Sequence, residues 1–138
     1  MNDGNTSMTK PISSRAIWTS RILWTAAVLF MLFDTGIKLM RESHAVEGTT
    51  RLGYPDSTVQ LLGIIEAVCL VLYLIPRTSI LGMVLLTGYF GGAVATHVRL
   101  ENPLFSHVLF SVYIALMMWG SLYLREPRLQ ELLPFRKQ

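Results

Sequence analysis

Four apolar runs separated by short polar breaks organise the chain: about Ile17–Leu39, Ser57–Ile75, Ser79–Val98 and Leu104–Leu124. Each comes close to the roughly 20 residues that an α-helix needs to cross a hydrocarbon core about 30 Å thick. The pattern predicts an all-α fold, a polytopic membrane four-helix bundle over residues 17–124. A polar, disordered tail is expected over residues 1–16 and a C-terminal tail over residues 125–138. Between the first two runs lies the only long break, "RESHAVEGTTRLGYPDS", read as a loop in which Gly-Tyr-Pro turns and Asp56 or Ser57 caps the next helix. "PRTS" is a tight connection, where proline stops one helix and Ser79 starts another. "RLENP" turns the chain a third time.

Composition agrees with a lipid environment: 51% of the 138 residues are hydrophobic and 15% are charged. The net charge of +3 does not indicate nucleic acid, because of where the cations fall. Eight of the twelve (Lys10, Arg15, Arg21, Arg77, Arg125, Arg128, Arg136 and Lys137) flank the termini and the second break. Only Lys38, Arg41, Arg51 and Arg99 surround the other two. Under the positive-inside bias this places both termini in the cytoplasm, and a bacterial inner (plasma) membrane is the expected location. The first apolar run is too long for a signal peptide and lacks a small-residue cleavage site, so it is expected to remain as the first span. Cys69 is the single cysteine, which excludes an intramolecular disulfide, and its place within the second run reads as a buried, inert thiol.

The polar residues inside the runs carry the candidate chemistry. In "GYFGGAVATHVR", Gly88, Gly92 and Thr96 recur every four residues, and with Gly91 they predict a small-residue face for close helix packing. Asp34 and Lys38, four apart at the end of the first run, share a helical face and can pair. Glu66 sits near the centre of the second run, where an unpaired carboxylate costs several kcal/mol and usually faces a bundle interior. A neutral, proton-donating Glu66 is one solution to that cost. With alternating topology, Asp34, Lys38, His97, Arg99 and His107 all fall in the outer half of the bilayer. The candidate ligand pocket is therefore Asp34, Lys38, Glu66, Thr96, His97, Arg99 and His107. No His-x-x-x-His or Glu-x-x-His spacing marks a metal site, no motif marks a nucleophile, and the glycines lie inside a helix rather than in a phosphate-binding loop.

The segments "GYP", "LLGIIEAVCLVLYLIPRTSILG", "GYFGGAVATHVR", "NPLF" and the final "LYLREPRL" together resemble the DoxX-like family of small four-helix membrane proteins, from about Arg21 to Pro134. The family pattern includes Lys38, Gly53, Tyr54, Pro55, Glu66, Gly91, Gly92, Thr96, His97 and Arg99. The family takes its name from a membrane subunit of an archaeal thiosulfate:quinone oxidoreductase, and other members are linked to oxidative-stress complexes. The resemblance therefore implies a quinone-linked role. Flavin, haem and iron–sulfur attachment motifs are absent from the sequence, so electrons would come from a membrane or peripheral redox partner or a freely bound quinone. On that reading His97 and Arg99 donate to the ring oxygens, Glu66 handles a proton, and Asp34 and Lys38 orient the pocket. Two alternatives stand beside it. One is a non-enzymatic scaffold or assembly subunit, with the polar residues as interhelical contacts and homo-oligomer formation allowed. The other, with less in its favour, is a small transporter centred on Glu66.

Overall fold

The computed structural model describes residues 13–133, and all of its regular structure is helical. There are six α-helices: α1 (Ser14–Leu39), α2 (Ser43–Arg51), α3 (Thr58–Leu74), α4 (Ser79–Arg99), α5 (Phe110–Arg125) and α6 (Pro127–Leu132), with a π-helical turn at Leu104–Val108 before α5. Three segments are long and apolar enough to cross a membrane: Ser14–Leu39, Ser79–Arg99 and Leu104–Arg125. The fourth apolar helix, α3, has 17 residues. The four expected runs thus appear as the four longest helices, but the described residues form six.

Three boundaries need correction. The loop expected after the first run contains α2, whose Ala45 and Thr49, four apart, are buried, with Val46 half-buried beside them and the rest exposed. Its start is fixed by Glu42, which accepts from the Ser43 hydroxyl and the His44 amide. Those bonds, the Ser43 hydroxyl first, hold the Glu42 carboxyl below its ordinary range. Neither expected cap of α3 acts as one: Ser57 makes no side-chain cap bond, and Asp56 pairs with Arg41 at 2.7 Å. The C-terminal tail begins as α6, with Pro127 in its first turn. The expected N-terminal tail enters α1 at Ser14, capped by the Ser13 hydroxyl; its residues 1–12 lie outside the described residues.

Three helices end alike. After α2, the amide of Tyr54 bonds the Thr49 carbonyl and that of Gly53 the Thr50 carbonyl, with Gly53 at φ 85°. This is the reversal in which glycine is normally favoured, because a Cβ is disfavoured in the left-handed region. α1 and α4 make the same pair of bonds with Arg41 (φ 51°) and Glu101 (φ 53°) in the glycine position. After α4, Pro103 opens a wider coil: the amides of Val108 and Leu109 reach back five residues, to Pro103 and Leu104.

α1 packs on α3 and α5, and α4 packs on α3 and α5, closing a ring of antiparallel neighbours. The core inside it is Ala27, Val28 and Met31 of α1, Leu70 and Tyr73 of α3, Met83, Leu86 and Phe90 of α4, and Met118 and Leu122 of α5. Outside it, Leu29, Phe33, Val68, Val71, Leu81, Val84 and Leu116 are exposed, the arrangement expected where lipid rather than water covers the surface. At the end where the chain termini emerge, the Ser20 hydroxyl donates to the Ser121 carbonyl at 2.8 Å. There Arg125 lies 5.7 Å from the rings of both Trp24 and Tyr73. The opposite end carries α2 and the π-helical turn.

The glycines that allow close approach are not the expected ones. A Cβ at Gly82 would collide with the backbone of Leu72 and Tyr73, and one at Gly63 would lie 2.9 Å from the Cβ of Lys38. At Gly88, Gly91 and Gly92 a Cβ would meet nothing within 4 Å. All three are exposed, and so are Leu81, Val84 and Leu85 on the preceding turns. Expected packing of Gly88, Gly91 and Gly92 against another helix of this chain is therefore corrected: that face of α4 points outward. Gly91→Ala is accordingly expected to leave thermal unfolding in detergent unchanged or to raise it slightly, since alanine gains about 1 kcal/mol of helix propensity. A large fall in the unfolding temperature would mean that something packs there.

Candidate functional site

The geometry starts from the contact of Gly63 with Lys38 and Leu39. Because α1 and α3 run antiparallel, moving one turn into α3 to Glu66 corresponds to moving one turn back along α1, to Asp34 and Thr35. Glu66 is the central residue of α3 and is fully buried. Lys38 bridges the two carboxylates, donating to Asp34 Oδ2 at 2.5 Å and to Glu66 Oε2 at 2.8 Å. The Tyr89 hydroxyl, from α4, donates to Glu66 Oε2 at 2.9 Å and stands 2.9 Å from Lys38 Nζ. The Asp34–Lys38 pair and the buried Glu66 are thus joined in one cluster, with Tyr89 as its fourth member.

Two oxygens at this depth have no partner among the described residues: Glu66 Oε1 and the hydroxyl of Thr35. Exposure falls inward, from 28% for the Asp34 side chain through 16% for Lys38 to 0% for Glu66. Two carboxylates face a single ammonium, so the cluster has one more acid than base.

A second feature lies further along the same face of α4. Tyr89, Gly92 and Thr96 are three and then four residues apart, so Thr96 sits about 10 Å along the helix from Tyr89. The Tyr54 hydroxyl is 2.8 Å from Thr96 Oγ1, and Thr96 in turn donates to the Gly92 carbonyl. One guanidinium nitrogen of Arg99 donates to the Leu52 carbonyl at 2.8 Å. Gly53, Tyr54, Gly92, Ala95, Thr96 and Arg99 line a groove of about 360 Å³ between the Leu52–Pro55 turn and α4. The missing side chain at Gly92 keeps it open.

His97 and His107 form a third group. Their rings are 5.9 Å apart, His97 Nδ1 is engaged by Asn102 and His107 Nδ1 by Ser106. The single pocket expected from sequence is thereby corrected. Asp34, Lys38 and Glu66 meet; Thr96 and Arg99 line a groove beyond them; His97 and His107 pair with each other instead of facing Glu66. The reason is register on α4, where His97 lies about 100° around the helix from Thr96.

Two tyrosines were not among the sequence candidates. Tyr89 shares its helical face with Thr96, and a phenol within an apolar helix needs a polar partner, which is the signal available for it. Tyr54 carried the signature of a turn and a place in the family pattern, neither of which points to its hydroxyl. Among the described residues no group of three or more His, Cys, Asp or Glu side chains converges on a metal position. Cys69 is free and buried.

Apolar spans around a buried acid–base cluster define an all-α membrane protein. A family model described as DoxX-like matches residues 22–121, and the chain belongs to that family. No curated protein and no solved structure matches it.

Proposed function

We propose that this protein is a quinone-linked membrane subunit of the bacterial inner membrane, with four spans, both termini cytoplasmic, and the α2 end facing outward. The observation that carries the reading is the continuity of one α4 face, from the open groove at Gly92, Thr96 and Arg99 to Tyr89 and the buried Glu66. The groove suits a flat ring with two polar edges. Arg99 offers the guanidinium N–H donors that its bond to the Leu52 carbonyl leaves over, the Tyr54–Thr96 hydroxyl pair forms a polar wall, and Gly92 leaves its floor flat. A quinone supplies a two-electron acceptor whose reduction takes up two protons, and the electrons come from a redox partner protein. Arg99 holds the ring by donating to it and the wall at Thr96 orients it, while Lys38 and Tyr89 keep a carboxyl group and its proton near one end of the groove. His97 is left without the ring-binding role that its neighbourhood to Arg99 suggested.

Thermal unfolding in detergent with a short-chain quinone tests this. Wild type is expected to gain about 2.7 kcal/mol at a hundredfold excess over Kd. Gly92→Leu, whose first side-chain carbon has no atom within 4 Å and whose remainder occupies the groove, removes the gain, and His97→Ala keeps it. A gain that survives Gly92→Leu, or none in wild type, rejects the quinone site.

A scaffold reading draws on one observation, the outward face of Gly88, Gly91 and Gly92, which offers close approach to a helix of another chain. It predicts a stable partner or homo-oligomer that Gly88→Leu disrupts, with no response to quinone.

A further inference from the structure

We propose that Glu66 carries an exchangeable proton in the resting protein, and that Asp34 is the port through which that proton enters and leaves. The inference rests on the reading of the cluster as proton-handling, and its test uses no quinone, so either can fail while the other stands.

Charge and hydrogen bonding make the case. Asp34 and Glu66 share one cation, Lys38, through bonds of 2.5 and 2.8 Å. With both acids ionised, the cluster would hold a net negative charge among apolar helices, whose cost is large compared with that of a neutral acid. The groups facing Glu66 are Asp34 and Lys38 from α1, Tyr89 from α4, and Cys69 on its own helix. The ionisable residues of α2 (His44, Glu47 and Arg51) are exposed. Lys38 is therefore the single cation in this set, and it touches both acids.

The two oxygens of Glu66 differ as those of a carboxylic acid do. Oε2 accepts from Lys38 and from Tyr89, the role of a carbonyl oxygen. Oε1 receives no donor among the described residues, although it is fully buried. An ionised oxygen so placed would carry charge with no donor to stabilise it, whereas a protonated one is a neutral O–H that lacks only an acceptor, the smaller of the two costs. The Thr35 hydroxyl, also without a partner, lies in the stretch of α1 that the helix register sets opposite Glu66.

The route follows from the gradient of exposure. Asp34 is the most exposed of Asp34, Lys38 and Glu66, and Lys38 is in contact with both acids. Inward transfer balances in two moves. The Lys38 ammonium gives a proton to the Glu66 carboxylate, and a proton taken up by Asp34 from the surface restores the ammonium. Exit is the reverse. Asp34 is thus a relay residue, and Lys38 the switch between the two acids.

Dicyclohexylcarbodiimide, an apolar reagent for protonated buried carboxyls, tests the first half on the full-length protein in micelles. The acid O–H adds across one C=N bond, the proton passes to nitrogen, and the adduct rearranges to a stable N-acylurea. Peptide mapping by mass spectrometry is expected to find the label on Glu66, with less of it as pH rises. The exposed Glu47, Asp56 and Glu101 stay unlabelled. An unlabelled Glu66, or labelling independent of pH, overturns the proposal without recourse to any variant.

Infrared spectroscopy tests the second half. Transfer into D2O shifts the carbonyl band of the protonated acid, and that band is absent from Glu66→Gln. In Asp34→Asn the shift is expected to slow by about tenfold or more, as loss of a proton-transfer group does. Asp34→Glu, which keeps a carboxyl, restores the rate. A wild-type rate in Asp34→Asn removes Asp34 as the port. A slow rate shared by Asp34→Glu removes it too, since the defect would then be in packing.

Discussion

Lys38→Met is expected to be among the most damaging single changes in the protein, costing on the order of 3–5 kcal/mol, the usual range when one partner of a buried ion pair is removed. Methionine has the length to fill the space but no donor. Asp34 would lose its cation, and Glu66 Oε2 would lose one of its two donors. The instructive comparison is Glu66→Gln. Glutamine is isosteric with the protonated acid, and its carbonyl oxygen accepts from Lys38 and Tyr89 as Oε2 does. Its cost is expected to stay within about 1 kcal/mol, the net worth of a single neutral hydrogen bond. Thermal unfolding of both variants in one detergent reads the difference. Equal, large losses would mean that Lys38 is paired mainly with an ionised Glu66, contrary to the neutral acid proposed above.

Gly82→Ala is the second large effect. Its new methyl group would run into backbone atoms of Leu72 and Tyr73, where α3 and α4 leave their tight connection. Side chains turn away from such contacts, but a helical backbone does not, so the helices must separate. Overpacking of this kind costs about 1–3 kcal/mol, which exceeds the roughly 1 kcal/mol that alanine gains over glycine in a helix. A lowered unfolding temperature is expected, with α3 and α4 displaced as a pair. An unchanged temperature would show that this connection has slack.

Much of this architecture can be read from the chain because lipid imposes simple rules. The apolar runs coincide with the four longest helices, except that the fourth opens with a π-helical turn and becomes α-helical only at Phe110, and the spacing of Asp34 and Lys38 allows the pairing that they make. Glu66 drew attention because a carboxylate among leucines and isoleucines needs a reason. What was missed is equally physical. α2 is a short polar helix whose buried side is only Ala45 and Thr49, a pattern too brief to separate from a loop. The glycines of α4 read as a stripe for close helix packing, yet periodicity alone cannot tell whether a helix of this chain lies against them, and none does. Tyr89 escaped notice because its role exists only when α1, α3 and α4 are brought together. His97, Arg99 and His107 joined Asp34 and Lys38 in one expected pocket because alternating topology puts all five in the outer half, but rotation around α4 turns His97 away from the face that carries Tyr89 and Thr96.

α3 has one further consequence. In the four-span arrangement proposed above, its 17 residues reach about 25 Å, several ångströms short of a typical hydrocarbon core near 30 Å. The other three segments are long enough to cross the full thickness, so the shortfall falls on one side of the ring. A bilayer accommodates a short helix by thinning around it, at a fraction of a kcal/mol per ångström. Such a dimple would bring headgroups and water towards the middle of α3, where Glu66 lies. Bilayer thickness, set by acyl-chain length, then becomes a control on how deeply that acid is buried.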